Sequence, residues 1–381
     1  MTHQDFGTRS SGRIGLSARG RDVLNRLRVA CDAETLAGIG LTSELRDALT
    51  AAGLLERQET TLPPADYRDI FAGWSSQRGM LIDQARSQAF QQAIAAVVRP
   101  GDRVADIGAG SGILSMMAAR QGAGRVHALE ITGMADWADR LAAHNGLDAV
   151  TVIRGDAGAF APDRPLDLVM GEFAGMYLIE EWRHYAAFVQ VRDRALRPGG
   201  AVLPSAARMF LSALDDRGLY LNRGYGFWEA PVHGFDFSPV RAAEITAPRR
   251  HIVSADAKSL VCTRQIAEFD YLTGNERDCF FTAEAEFPYP AAGMFHGFIG
   301  HFEMDMAPGL VLGTGPSSKE THWHQSYFPV PAIHVPAGQR VAARIRSFLN
   351  EAGVMCMGLT VAGPGESVQM PDLPEHVYVL E

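Results

Sequence analysis

No stretch of the 381 residues holds the roughly 18 consecutive apolar side chains that a membrane-crossing helix needs. The opening MTHQDFGTRSSGR lacks the apolar segment of a secretory leader. A cytoplasmic location without a membrane partner is therefore expected. Cysteine is scarce: Cys31, Cys262, Cys279 and Cys356 lie far apart, with no CxxC pair and no histidine at metal spacing. That spacing argues against a disulfide framework and a thiolate metal centre, leaving buried free thiols and no metal as the expectation. Lysine is nearly missing, since Lys258 and Lys319 are the only two among 35 basic residues. This skew, with abundant alanine and glycine, looks like the GC-rich coding of some bacteria and carries no information on mechanism. A net charge of −9 gives no basic footprint for a nucleic acid and suits a cationic substrate.

What is present is ample core material, 47% apolar against 21% charged, enough for two packed domains. Residues 18–58 show leucine and alanine at helical spacing, which predicts an N-terminal helical extension over 1–58. A polar, proline-bearing stretch from Thr60 to Pro64 follows as a linker. Helical periodicity returns from Gln77 to Val98. From Val104 to Pro204 short apolar strands alternate with helical stretches, which predicts a parallel sheet with helices on both faces within a domain over 59–204. Beyond Pro204 the text changes to short β-branched and aromatic runs broken by glycine and proline. An antiparallel β-domain over 205–381 is expected.

The first chemical signal is VADIGAGSGIL, Val104–Leu114, a strand entering a glycine turn and then a helix. Backbone can approach a ligand closely at such a helix start. A dinucleotide fingerprint would need glycine at 113, where Ile113 stands. Asp106 precedes the turn, and Glu130 ends the next strand where a carboxylate meets ribose hydroxyls; Asp156, followed by Ala157, comes just after the third strand, where an adenine amino group would lie. Such acids with GxGxG upstream form the arrangement expected for S-adenosylmethionine.

The second signal is GEFAGMYLIEEW, Gly171–Trp182, directly after the fourth strand. Glu172 and Glu181 flank a glycine-containing turn that can fold them toward each other. Two carboxylates facing one pocket require a cation between them, and a guanidinium, planar with five donors, fits that fork. Spacing alone supports equally well a solvated helix start, with Glu180 as the exposed carboxylate.

These runs resemble the protein arginine methyltransferases. VADIGAGSGILSMMAARQGAGRVHALE is similar to their glycine loop and following strand, and GEFAGMYLIEEW to their paired-glutamate loop. Thr321-His322-Trp323 is similar to their threonine-histidine-tryptophan loop, and HGFDFS from His233 to a segment beyond their dimerisation arm. The likeness runs in order from about Tyr67 to the C-terminus. It implies a Rossmann-like α/β domain, an antiparallel β-barrel, and a helical arm over about 216–236 that reaches a second subunit of a homodimer. It also implies roles. Asp106, Gly108, Gly110 and Glu130 would hold the cofactor, with Arg86 on its methionyl carboxylate. Glu172 and Glu181 would clamp the guanidinium, Asp83 and His322 would form a carboxylate–histidine pair, Met80 would pack beside the reactive centre, and Trp323 would wall the acceptor pocket; Tyr67 would join the substrate site from the helix that closes over the cofactor.

The chain also departs from the family's pattern. Where the family has YFxxYxxxxxHxxML, this chain has YRDIFAGWSSQRGML, with Phe71 for the second tyrosine and Gln77 for the histidine. Two residues past the second glutamate stands Arg183 in place of a small or sulfur-bearing residue. On a helix, Arg183 either faces the cleft, where it would receive the α-carboxylate of free arginine, or points to solvent. With the bacterial-looking composition, free L-arginine or a small arginine-derived metabolite is the favoured acceptor, and peptidyl arginine, or a small molecule without a guanidine, the alternative.

Overall fold

The computed structural model describes residues 13–16, 55–58, 71–253 and 258–380. It divides into two units, residues 1–67 and 68–381. In the first, β1 (Arg13–Leu16) pairs antiparallel with β2 (Leu55–Gln58). The helical periodicity of 18–58 does not foresee these strands; the remainder of that extension, the Thr60–Pro64 linker and Tyr67 lie outside the described residues.

The second unit opens with two helices where the sequence suggests one, α1 (Trp74–Ile82) and α2 (Gln84–Val97). Asp83 separates them in extended geometry, and its side chain accepts from the Arg86 amide, so it serves as the N-cap of α2. An aspartate that satisfies an orphan amide competes with helix continuation, a local preference that apolar periodicity cannot reveal.

A five-stranded parallel sheet follows, built from β3 (Arg103–Ile107), β4 (Arg125–Glu130), β5 (Val150–Arg154), β6 (Leu166–Gly171) and β7 (Leu196–Leu203). Its order is β5-β4-β3-β6-β7. The connecting helices are α3 (Ile113–Arg120), α4 (Met134–His144) and α5 (Trp182–Ala195). The strand order reverses direction between β3 and β6, and the crevice at such a switch point is where open α/β sheets bind ligands. Here Ile107 and Gly171 are register partners, so the glycine turn and the paired-glutamate loop leave the sheet side by side.

The antiparallel part begins at once with β8 (Ala206–Leu214). It joins β9 (Arg249–His251), β10 (Leu260–Asp270), β12 (Gly293–Ala307), β13 (Leu310–Gly313) and β14 (Gln325–Val335) in one sheet. A second sheet holds β11 (Thr282–Pro288), β15 (Arg340–Leu349), β16 (Met355–Ala362) and β17 (Glu375–Val379). Aromatic side chains close the two sheets into a barrel-like body: Phe287 meets Phe298 at 4.8 Å between ring centres, and Phe328 meets Tyr378 at 5.2 Å. Cys279 and Cys356 are buried there, whereas Cys262 is only half-buried.

The apolar segment after Asp216 forms α6 (Arg217–Arg223) and a 3-10 turn over Tyr225–Glu229. It divides its side chains. Leu219, Tyr220 and Tyr225 are buried on the chain's own barrel, whereas Leu221, Phe227 and Phe235 are 38, 44 and 70% exposed.

Phe298 is fully buried between the two sheets. Its truncation to alanine leaves a cavity, and Phe298→Ala is expected to destabilise the fold by about 3–5 kcal/mol, read as a lowered denaturation midpoint at an unchanged slope.

Candidate active site

At the carboxyl edge of the parallel sheet, Gly108, Gly110 and Gly112 take φ of +69°, +54° and +79°. Side chains press against this turn from outside. A Cβ on Gly108 would come within 2.2 Å of His184 Nε2, and one on Gly110 within 2.8 Å of Gln77 Oε1. Glycine is required there by both conformation and space. Glu130 ends β4 buried, with Oε2 accepting from the Gly110 amide (2.8 Å) and Oε1 from the Thr132 amide (2.7 Å). Each oxygen retains a lone pair for a hydroxyl group. Asp156 follows β5, exposed, with Oδ1 accepting from the Gly158 amide, and Ala157 is half-buried at the start of a 3-10 turn. The Gly155 amide donates to the Glu130 carbonyl, which keeps this turn beside Glu130. A glycine cradle flanked by two acids at one sheet edge fits a nucleoside with a diol. Asp106 occupies a different place from that expected of a contact residue. It is buried and accepts from Ser115 Oγ (2.6 Å), and burial raises its carboxyl to about 6, so it braces the turn against α3.

The paired-glutamate loop crosses from β6 to α5. Glu172 accepts from Arg86 Nη2 (2.8 Å) and Nε (3.1 Å) through Oε2, and from the Ala174 amide through Oε1. Arg86 and Glu172 side chains are 5 and 9% exposed. Arg86, expected on a methionyl carboxylate, thus also ties the cofactor side of the cleft to the acceptor loop. Glu181 is buried, and its Oε2 lies 3.3 Å from His184 Nδ1. Glu180 is not the solvated member of the trio. Its Oε1 accepts from the Met176 amide, and its Oε2 has no partner among the described residues. Burial, reinforced by Glu181, pushes its carboxyl up to about 7. Gly175 makes room for it, since a Cβ there would meet Glu180 within 1.9 Å.

The barrel fixes this loop at three points. Trp323 Nε1 donates to the Ala174 carbonyl, Ser326 Oγ to the Met176 carbonyl (3.3 Å), and Tyr177 Oη to the Phe210 carbonyl (2.7 Å). Trp323 is 2% exposed, so it supports the loop from behind and presents no open wall to a pocket. Asp83 Oδ2 accepts from both the amide and Nδ1 of His322, each at 2.8 Å. Burial acts to raise the Asp83 carboxyl, but the hydrogen bonds from His322 and the Arg86 amide prevail and hold it below its ordinary value. Met80 is half-buried on α1, three residues ahead of Asp83.

Arg183 corrects an expectation. It is exposed, its Nη2 donates to the Gly353 carbonyl (2.8 Å), and its guanidinium lies over the Trp182 ring. It faces the barrel surface and has no bond to the glutamate loop. Two residues without a role in the sequence-based expectations do reach the site. Gln77 is buried, accepting from the Ser111 amide and donating to the Phe71 carbonyl, so it clamps the glycine turn. His184 bridges Glu181 and the Ile107 carbonyl. Its signal was present as a histidine one helical turn after a glutamate.

These features define a methyltransferase, and residues 104–200 match the family described as a methyltransferase domain. Residues 205–353 match the arginine methyltransferase oligomerization subdomain. The chain is 30% identical over 270 residues to protein arginine N-methyltransferase 1 of Chlamydomonas reinhardtii, covering 69% of this chain and 77% of the relative. It is 30% identical over 291 residues to protein arginine N-methyltransferase 1 of Schizosaccharomyces pombe, covering 73 and 83%. Among solved structures, a chain of the Trypanosoma brucei PRMT1 enzyme–prozyme heterotetrameric complex with AdoHcy aligns at a TM-score of 0.73 and 25% identity, covering 82% of this chain and all of that one. The chain belongs to the protein arginine methyltransferase family and is an S-adenosylmethionine-dependent arginine methyltransferase.

Replacing Glu130 with alanine is expected to weaken S-adenosylmethionine binding by at least about 1.5 kcal/mol, the size of a charged hydrogen bond. Unchanged affinity by titration calorimetry would remove Glu130 from the cofactor site.

Proposed function

We propose that the acceptor is an arginine side chain of a protein, in preference to free arginine. One observation carries this reading: Arg183, the cation that would have received an amino-acid carboxylate, is committed to Gly353 and Trp182. The relatives that bear the name protein arginine N-methyltransferase support the same choice.

Glu172, anchored by Arg86, and Glu181 hold the guanidinium from two sides. A guanidinium is protonated at neutral pH with delocalised lone pairs. Carboxylates that draw positive charge onto two nitrogens leave the third more nucleophilic. When bound, S-adenosylmethionine supplies a methyl group already activated on a sulfonium. The remaining task for the protein is alignment, which rigid attachment of the glutamate loop to both sheet and barrel provides. The product must lose a proton; Glu181 is the first acceptor, and His322 with Asp83 carries it outward.

We further propose that the chain works as a cytoplasmic homodimer. The exposed apolar side chains of Leu221, Phe227 and Phe235 form the contact surface of the arm.

Glu181→Gln keeps shape and removes charge, and is expected to lower turnover about 100-fold or more with cofactor affinity retained. Glu172→Gln is expected to be as damaging and also to loosen Arg86. Equal turnover in wild type and both variants refutes the clamp. In an assay with mass detection, an arginine-rich peptide should gain methyl groups while free L-arginine does not; the reverse result restores the free amino acid.

Leu221→Glu combined with Phe227→Glu should convert a dimer into a monomer by light scattering at micromolar concentration. A wild type that is monomeric and active there refutes the arm's role.

A further inference from the structure

We propose that His184 is a further residue of the acceptor site: its imidazolium is the counter-ion that holds Glu181 before the guanidinium arrives, and it releases its Nδ1 proton when the guanidinium takes its place.

Two acceptors face the ring. His184 Nε2 lies 2.9 Å from the Ile107 carbonyl oxygen, and Nδ1 lies 3.3 Å from Glu181 Oε2. Neither a carbonyl nor a carboxylate can donate. A neutral imidazole carries one N–H, so one of these contacts would set lone pair against lone pair. Only the doubly protonated ring satisfies both.

The ring's position is fixed from the other side as well. It rests on Gly108, where a side chain would collide with Nε2, so the histidine touches the cofactor turn and the acceptor carboxylate together. The groups facing it come from three elements. Glu181 stands at the start of α5, Glu172 on the preceding loop, itself paired with Arg86, and Asp106 on β3, bonded to Ser115. Phe173 adds an apolar edge at 5.9 Å. Burial alone would lower the imidazole pKa. Glu181 outweighs it by hydrogen bond and charge, with help from the Ile107 carbonyl and Glu172, and the ring titrates above its ordinary value. About a fifth of the side chain is exposed, which leaves a path for the proton.

A guanidinium on Glu181 brings a second positive charge against the imidazolium, and like charges so close disfavour the protonated ring. Guanidinium replaces imidazolium on Glu181, the Nδ1 proton goes to solvent, and the neutral ring stays on the Ile107 carbonyl through its Nε2–H. Glu181 raises the histidine pKa, and that stabilisation is lost when the acceptor occupies Glu181. Below the His184 pKa, acceptor binding must expel a proton and weakens by about tenfold per pH unit; above it, binding is independent of pH.

The proposal rests on the guanidinium clamp, so one arm of its test needs no acceptor. The His184 ring resonance, assigned by its disappearance in His184→Gln, should titrate at higher pH in the wild type than in Glu181→Gln. An identical titration in both overturns the proposal, whatever the acceptor proves to be. In the second arm, the KM for an arginine-rich peptide should rise about tenfold per pH unit on the acidic side in the wild type and lose that slope in His184→Gln. A slope kept in His184→Gln overturns it equally. If no arginine peptide is methylated while the Glu181-dependent titration persists, the acceptor reading has failed and the proton exchange with it, but the ion pair has not.

Discussion

A buried ion pair, Arg86 with Glu172, holds the two sides of the cleft in register. Both ends lie almost wholly out of water. Desolvating each charge costs several kcal/mol, which mutual attraction offsets only if the remaining hydrogen bonds are made. They are: two guanidinium nitrogens converge on one Glu172 oxygen while the Ala174 amide takes the other. Because Arg86 occupies the first turn of α2, the helix that carries it fixes where the acceptor loop begins. The same first turn is capped by Asp83, which binds His322 from the barrel. One helix start therefore organises cofactor, acceptor and barrel components together.

The rest of the loop obeys a related constraint. Three carboxylates stand within ten residues, and none is left as a solvated surface charge. Glu172 is matched by arginine and Glu181 by histidine. Glu180 folds back onto the loop's own amide in space that only a glycine at 175 leaves open, and its raised pKa reflects the thinner compensation it receives. The loop thus carries its negative charge already held in place.

Much of this was legible in the linear text because the relevant signals are local. Strand, glycine turn and helix announce themselves through apolar alternation and the need for positive φ, and the Glu130 position follows from the strand after the turn. The glutamate loop was visible as a pair, but that Glu180 and Glu181 both turn away from solvent depends on a 3-10 turn entered through Leu178 at a positive φ of 63°, a backbone detail with no sequence period. The helix break at Asp83 was hidden for a similar reason, since capping competes with an apolar pattern that continues through it. Arg183 depended on a carbonyl 170 residues away. Gln77 and His184 carry a weaker signal: Gln77 binds backbone atoms alone and His184 divides its contacts between Glu181 and the Ile107 carbonyl, and backbone groups carry no residue-specific signature.

The attachment of the glutamate loop to the barrel also sets an order of events during synthesis. The parallel sheet, with its glycine turn and Glu130, is complete by Leu203. The bonds that fix the loop at Ala174 and Met176, and Asp83 to His322, wait for residues 322–326. A nascent chain of some two hundred residues therefore already contains every residue of its nucleoside cradle, but the greater part of the barrel must be translated before the glutamate loop is locked. Competence for transfer comes late, after most of the chain has been made.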